Sequence, residues 1–399
     1  MDHTTEVLLE LFLVFIAAQA GAEIAQRLKW PSVVGEISAG VVIGSSVLGW
    51  IEITEPLEVL AEIGAVLLLF SVGLETRVDE LKEVGRTATL VGVVGVVFPF
   101  VMGAAWALFN GYDTPKAMFI AAAFVATSAG ITARVLQDMG MLARTESRVI
   151  LGAAVIDDIL AMLLLGVVTA LQTESGVNVF NLLLVLLQAI GFIALIALVG
   201  THIMRRSSPL LELPINPLSP LTLSLALCLG LATAASYLGL AAIIGAFLAG
   251  MIAAETEQRR TLGMQLQPIL SFLVPFFFVM TGAQVNLLEL GSASVLVSLL
   301  VATLLAIAGK LIGCGLGAWS LGPKPAVIVG VGMVPRGEVG IIVASLGLQA
   351  GVFSSTMYAI IIGMSLLTSV IAPPVLGALF AGEGAEESPV ISGDGMQHE

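Results

Sequence analysis

The sequence predicts an all-α polytopic membrane protein with about thirteen transmembrane helices. The composition predicts this class, because 58% of the 399 residues are hydrophobic and only 11% are charged. The mean hydropathy, +1.05, is a second indication. A soluble domain carries about 25% charged residues, so this chain has too few to cover a water-exposed surface. The third observation is that the chain divides into apolar runs long enough to cross a bilayer.

Charged or turn-forming residues bound each apolar run, and each run is interpreted as one helix. The ninth run is short and follows the eighth directly, so the turn at Leu238-Gly239 alone separates them. In chain order, the thirteen runs lie near 6–27, 31–49, 57–75, 87–109, 115–138, 146–171, 181–204, 218–237, 240–254, 266–282, 291–319, 324–348 and 355–380.

The basic residues in the connections between the runs predict the orientation. With the N-terminus outside, the outer connections hold only Lys116, whereas the inner connections hold twelve Lys and Arg residues. This asymmetry follows the positive-inside rule and predicts an N-out, C-in topology. The twelve inner cations are Arg27, Lys29, Arg77, Lys82, Arg86, Arg144, Arg148, Arg205, Arg206, Arg259, Arg260 and Lys324.

The predicted domain organisation is a transmembrane domain over 1–380 followed by a tail over 381–399. The tail is glycine-rich and acidic, without Lys or Arg, and is expected to be disordered in the cytoplasm. No GxxxxGK[ST] nucleotide-binding motif occurs, which argues against an ATP-driven pump and favours transport driven by an ion gradient. We therefore expect a non-enzyme in contact with membrane lipid, with no cofactor and no nucleotide or nucleic-acid partner.

Asp157 and Asp158 lie in the middle of the sixth run, VILGAAVIDDILAMLLLGVV, which is otherwise apolar. A charge at the centre of a bilayer costs at least about 3 kcal/mol, and such residues mark ion or proton paths. Two adjacent carboxylates cannot both stay ionised there unless a cation or a proton joins them. We predict that the pair binds a metal cation such as Na⁺ in competition with protons. The alternative is a structural pair at a helix kink.

Two runs contain helix breakers at their centres. The fifth reads FVATSAGITARV and the twelfth reads VGVGMVPRGEVGIIV, in which Pro335 lacks a backbone donor. Broken helices at membrane depth occur only inside protein or beside a water-filled cavity, where their ends can face an ion. Because the two breaks are seven helices apart, the segments run in opposite directions, as in an inverted repeat with two broken crossing helices.

Five further polar residues are candidates for this site. Lys310 is the only lysine within a predicted span, and we expect it to pair with Asp157 while Asp158 is the main cation ligand. That pair could also serve only to hold helices together. Thr127 and Ser128 are candidate ligands, or they bond to carbonyl groups within a kink. For Arg336 and Glu338, neutralising each other or nearby acids is favoured over a direct part in transport.

Four segments in combination resemble the bacterial sodium/proton antiporters of the NapA type, in the monovalent cation/proton antiporter superfamily that includes NhaA. They are ATSAGITARVLQDMG, AAVIDDIL, AGKLIG and GMVPRGEVGIIVASLG. The resemblance implies that Asp157 and Asp158 match the family's aspartate pair and that Lys310 matches its ion-pair lysine. It also implies a homodimer in a prokaryotic inner membrane, in which each core domain moves like an elevator against the dimerisation domain.

On this basis, the core domain is expected to include the helices near 57–171 and 266–380. The dimerisation domain is expected to include those near 6–49 and 181–254. The predicted function is electrogenic export of Na⁺ or Li⁺ in exchange for H⁺. A potassium/proton or mixed-cation exchanger stays open, because selectivity depends on cavity geometry. A cation channel is disfavoured because the chain lacks a TVGYG-type filter, and a sensor without transport ranks lowest.

Overall fold

The computed structural model describes residues 3–76, 78–170, 179–196, 219–238, 240–285, 290–349 and 351–384. Within these ranges the regular elements are fifteen α-helices and one short 3₁₀ helix, Trp319–Leu321, without any strand. In chain order the helices are α1 His3–Arg27, α2 Ser32–Ile43, α3 Glu55–Glu75, α4 Val78–Phe109, α5 Thr114–Ala123, α6 Ala129–Asp138, α7 Thr145–Ala170, α8 Val179–Leu195, α9 Ser219–Tyr237, α10 Ala242–Ala254, α11 Arg259–Ala283, α12 Ala293–Gly317, α13 Pro323–Gly332, α14 Glu338–Gln349 and α15 Ser355–Gly384.

The helices coincide with the predicted apolar runs, and the fifth and twelfth runs each form two helices. Eight of the described helices are long and apolar enough to cross a membrane. The prediction of an all-α polytopic membrane protein is therefore confirmed at this level, while the count of thirteen spans and the orientation stay predictions. Helix α15 extends to Gly384, into the predicted tail, and the rest of that tail lies outside the described residues.

Several helices begin at a proline, which fits the first turn because its missing N–H has no helical partner there. Helix α5 has Pro115 in its first turn, and α13 begins at Pro323. Gly322, just before α13, has a φ of 104°, a backbone conformation that glycine adopts more readily than other residues. These residues set the turns that return the chain into the apolar layer.

Packing divides most of the helices into two bodies. The first, here called the scaffold, contains α1, α2, α3, α9, α10 and α11; in it α3 packs along α10 and α11, and α2 packs along α1 and α11. The second, here called the bundle, contains α4 to α7 and α12 to α15; in it α4 packs along α5, α7 and α12, and α12 packs along α13 and α15. Helix α6 contacts both bodies and is grouped with the bundle because its N-cap residue Ser128 is hydrogen-bonded to Pro335, between α13 and α14. Helix α8 lies against α7.

Glycines let the backbones approach closely inside each body. In the scaffold, a Cβ added to Gly73 of α3 would collide with the carbonyl oxygen of Phe247 in α10. In the bundle, a Cβ added to Gly313 of α12 would lie 2.7 Å from the carbonyl oxygen of Val94 in α4. Such small-residue contacts are the usual means of close helix packing in membranes, where burial of apolar surface does not drive association. Each body is therefore tightly packed within itself.

This packing differs from the domain division expected from the sequence. That division places 57–75 and 266–282 in the core domain, whereas the corresponding helices α3 and α11 pack mainly within the scaffold. At the boundary between the bodies, a Cβ added to Gly130 of α6 would meet side chains rather than backbone: the ring of Phe277 at 3.3 Å and Leu69 at 3.7 Å. An apolar run shows that a helix is buried but not which neighbour buries it, so the sequence gives no basis for this assignment.

We expect Gly313→Ala to destabilise the protein because the added methyl group must displace the α4 backbone at Val94. Overpacking of this kind costs about 1–3 kcal/mol. Gly230→Ala is the matched control, since no atom of the described residues lies within 4 Å of the position its Cβ would take. Thermal unfolding in detergent should show a lower melting temperature for Gly313→Ala alone. Equal melting temperatures for the two variants would contradict the close contact.

Candidate functional site

The two helix interruptions, 124–128 and 333–337, lie against each other inside the bundle. The backbone N–H of Ser128 donates to the carbonyl oxygen of Pro335 at 2.8 Å. Nearby, the Thr132 hydroxyl donates to the carbonyl oxygen of Gly332 at 2.7 Å. The breaks occur where the sequence predicts them, and their freed backbone groups are partly satisfied by each other. The inverted repeat itself stays a prediction.

Thr127 and Ser128 are both buried in this crossing. The Thr127 hydroxyl lies 3.4 Å from the carbonyl oxygen of Met333 and donates to it. The Ser128 hydroxyl accepts from the N–H of Ile131 at 3.5 Å, so Ser128 is the N-cap of α6. Of the two interpretations left open by the sequence, these contacts match bonding to the backbone of the break. A role as cation ligands stays a prediction.

Arg336 is fully buried in the second interruption and binds backbone carbonyl groups. Its Nη1 donates to the carbonyl oxygen of Ala126 at 2.8 Å and its Nη2 to that of Ala306 at 3.3 Å. The Ser369 hydroxyl in turn donates to the carbonyl oxygen of Arg336. A cation is favourable at the negative end of a helix, and Ala126 lies just beyond the C-terminus of α5. Arg336 therefore stabilises the crossing.

Glu338 is the first residue of α14, but its side chain lies outside the described part of the structure. The sequence-based suggestion that Glu338 neutralises Arg336 therefore stays a prediction. The sequence could not predict that Arg336 binds carbonyl groups of Ala126 and Ala306, because every residue has a backbone carbonyl group.

Asp157 and Lys310 form an ion pair between α7 and α12. Lys310 Nζ lies 2.5 Å from Asp157 Oδ1, and both side chains are completely buried. This is the partner that the sequence suggests for Lys310, although the roles of both residues in transport stay predictions. The other carboxylate oxygen, Oδ2, has no hydrogen-bond partner among the described residues. Arg336 is close enough to Asp157 to interact with its charge.

Asp158 faces a different part of the molecule. Successive residues of an α-helix point about 100° apart, so the neighbouring carboxyl groups diverge. Asp158 is 4% exposed and lines a narrow cavity between bundle and scaffold. Ala129 contributes to the cavity from the start of α6, and Ile243 and Phe247 contribute from α10. The structure thus places one aspartate inside the bundle and the other at the boundary between the bodies.

A larger cavity of about 610 Å³ adjoins this position, because Ile243 lines both. It also follows the boundary between the bodies, with α3, α10 and α11 on one side and α14 on the other. Glu58 and Glu62 line it on α3. Neither residue is among the candidates predicted from the sequence, although their four-residue spacing places both carboxylates on one face of a helix.

The opposite end of the boundary, on the face that carries the cationic connections, is crossed by polar contacts. Gln137 of α6 donates to the Ser71 hydroxyl and to Glu75 Oε1 of α3, both at 3.1 Å. The Ser32 hydroxyl of α2 donates to Asp138 Oδ2 of α6 at 2.8 Å. Hydrogen bonds therefore cross the boundary at this end, here called the cationic end, while the cavity lined by Glu58 and Glu62 lies at the other end.

A family model described as sodium/hydrogen exchanger, transmembrane, matches residues 11–382. The chain belongs to this family. It is 35% identical to the high-affinity Na⁺/H⁺ antiporter NhaS3 of Synechocystis, an alignment that covers 96% of this chain and 92% of that protein. It is 36% identical to the Na⁺/H⁺-K⁺ antiporter GerN of Bacillus cereus, covering 94% of this chain and 96% of that protein.

Solved structures of the sodium proton antiporter MjNhaP1 from Methanocaldococcus jannaschii share the fold. One, determined by electron microscopy, superposes with a TM-score of 0.71 at 17% sequence identity and covers 98% of this chain and all of that chain. The resemblance to bacterial sodium/proton antiporters found in the sequence is thereby confirmed. So are the predictions of a secondary transporter and of a multi-pass membrane location.

We expect Arg336→Gln to lower the free energy of unfolding, because it removes charge-assisted hydrogen bonds to buried carbonyl groups. Such bonds contribute about 1.5–3 kcal/mol each. Arg27→Gln is the matched control, since the Arg27 side chain is 76% exposed and pairs only with Glu23 one turn away. The fraction that stays monodisperse after heating, measured by size-exclusion chromatography, should fall for Arg336→Gln and stay near wild type for Arg27→Gln.

Proposed function

We propose that this protein exchanges Na⁺ for H⁺ across the membrane, with Asp158 as the residue that holds either ion. The observation that carries the proposal is the placement of Asp158: it is buried next to a helix crossing yet lines the boundary between two separately packed bodies. The family membership and the names of NhaS3 and GerN support the chemistry. A cation at Asp158 would take its other ligands from hydroxyl groups, carbonyl groups and water.

Asp158 accounts for exchange rather than leakage. An ionised carboxylate in a low-dielectric interior is unfavourable, so the bundle moves past the scaffold only after the charge has been neutralised by a proton or a cation. Binding of one ion then excludes the other. When Asp158 carries a proton, Lys310 compensates the charge of Asp157.

The motion we propose is a displacement of the bundle along the scaffold, as in an elevator. The glycine contacts that stiffen each body and the side-chain packing between them support it. We also propose thirteen spans, an N-out orientation and a homodimer joined through the scaffold, now including α3 and α11. In this orientation Glu58 and Glu62 lie towards the outside, and the hydrogen bonds of Gln137 and Ser32 between the two bodies lie towards the cytoplasm.

Potassium is the second candidate cation. The observation in its favour is the name of GerN, a Na⁺/H⁺-K⁺ antiporter of comparable similarity to this chain. Oxygen ligands accept both ions, and the choice depends on the size of the cavity around Asp158. Titration of exchange with Na⁺, Li⁺ and K⁺ in the same vesicles separates the two candidates.

We expect Asp158→Asn to abolish exchange, because the neutral amide can neither release a proton nor compensate a cation. The measurement is the decay of an imposed pH gradient in proteoliposomes on addition of Na⁺. Asp113→Asn is the matched control, as it makes the same substitution at an exposed residue before α5. Wild-type exchange by Asp158→Asn would show that the ion binds elsewhere.

We expect Lys310→Gln to destabilise the protein, because it leaves Asp157 as an unpaired buried carboxylate, and breaking a buried pair costs about 3–5 kcal/mol. It should also weaken the dependence of exchange on membrane potential. The double variant Lys310→Gln/Asp157→Asn replaces the pair by two neutral amides and should regain stability. If the double variant regains stability and both variants keep the voltage dependence of the wild type, the pair has only a structural role.

A further inference from the structure

A second cluster of ionisable residues lies at the cationic end of the boundary, away from Asp157 and Asp158. Glu36 is one turn into α2 of the scaffold, and Arg134 and Asp138 face it from α6 of the bundle. All three line a cavity of about 640 Å³ together with Ser32 of α2. The proposed exchange mechanism uses none of these residues.

The contacts within the cluster join the two bodies. The Ser32 hydroxyl donates to Asp138 Oδ2 at 2.8 Å, while Arg134 Nε lies 3.0 Å from Asp138 Oδ1. The Glu36 side chain is left out of this network. It is 4% exposed, and its Oε2 is buried without a hydrogen-bond partner among the described residues. A buried carboxyl oxygen without a partner is unfavourable when charged and tolerable when the group is protonated.

The charges that face Glu36 are unbalanced. From α6, Arg134 attracts its carboxylate and Asp138 repels it, and both act on its charge. Since Arg134 is already paired with Asp138, its single positive charge faces the two negative charges of Asp138 and ionised Glu36. Among the other residues that line the cavity, Lys29 in the α1–α2 connection is the one further ionisable group. The remaining polar lining residues are neutral: Gln19 and Gln26 from α1 and Ser271 from α11.

We propose that Glu36 is a proton-binding site that latches α2 to α6 at the cytoplasmic end of the boundary. A proton on Glu36 neutralises the buried oxygen that has no partner and removes the repulsion by Asp138, while the attraction to Arg134 that it also removes is shared with Asp138. The burial of the oxygen decides the direction, so the protonated form favours the closed contact. Glu36 therefore binds a proton more tightly when the α2–α6 contact is closed than when it is open. The contact is stable at low cytoplasmic pH and opens as the pH rises. This inference rests on the proposed function, in which opening of the α2–α6 contact frees the bundle to move along the scaffold.

The test is hydrogen exchange of the α6 amides, Ala129–Asp138, in purified protein between acidic and alkaline buffers. After correction for intrinsic exchange, protection of α6 in the wild type should fall with rising pH, by up to about tenfold per pH unit for one linked proton. Glu36→Gln imitates the protonated group and should keep α6 protected at all pH values. Glu23→Gln, at a glutamate whose side chain is 52% exposed, should follow the wild type.

A wild-type pH response in Glu36→Gln would overturn the latch. If that variant does not fold, Ser32→Ala provides the test, because it removes the hydrogen bond to Asp138. Helix α6 should then lose protection in acidic buffer. Unchanged protection would overturn the proposal. The measurement needs no transport. A protein with the predicted pH response but without Na⁺/H⁺ exchange in vesicles would therefore retain the latch and lose the proposed function.

Discussion

The ion pair between Asp157 and Lys310 is the constraint on which the arrangement of the bundle depends. Two charges without access to solvent are stable only when they compensate each other at short range, and this fixes α12 against α7. Arg336 adds a third buried charge that is held by carbonyl groups at the crossing. Because each of these charges is held by an opposite charge or by backbone carbonyl groups, the bundle can carry breaks and charges at membrane depth without opening to lipid.

The second constraint is the difference between packing within the bodies and packing between them. Glycine-mediated backbone contacts resist sliding, since each fits only one register. Side-chain contacts at the boundary, such as that of Gly130 with Phe277, can be exchanged for others of similar energy. Asp158 lines this boundary, and so do the cavity around Glu58 and the polar ties at the cationic end. The proposed ion site and the proposed movement therefore share one surface.

Much of this could be predicted from the sequence, and the failures have a common cause. Apolar runs locate helices, and breakers or charges within a run are conspicuous, so the interruptions and the partnership of Lys310 with Asp157 were accessible. Which helices pack together was not, because lipid-facing and protein-facing apolar surfaces are alike in composition. The backbone partners of Arg336 and Thr127, and the position of Glu36 opposite Arg134, depend on that packing and could not be predicted either.

The divergent positions of the two aspartates bear on how many charges each cycle moves. In the proposed mechanism with the pair intact, Asp158 would be neutral as a protonated acid and equally neutral with a monovalent cation, so exchange of one ion for one proton would move no net charge. Net charge moves only if Asp157 leaves Lys310 to join the cation and Lys310 loses its proton. The bundle then returns two protons for each cation. Under the proposed assignment of the site, the stability of the described pair against separation would decide between neutral and electrogenic exchange.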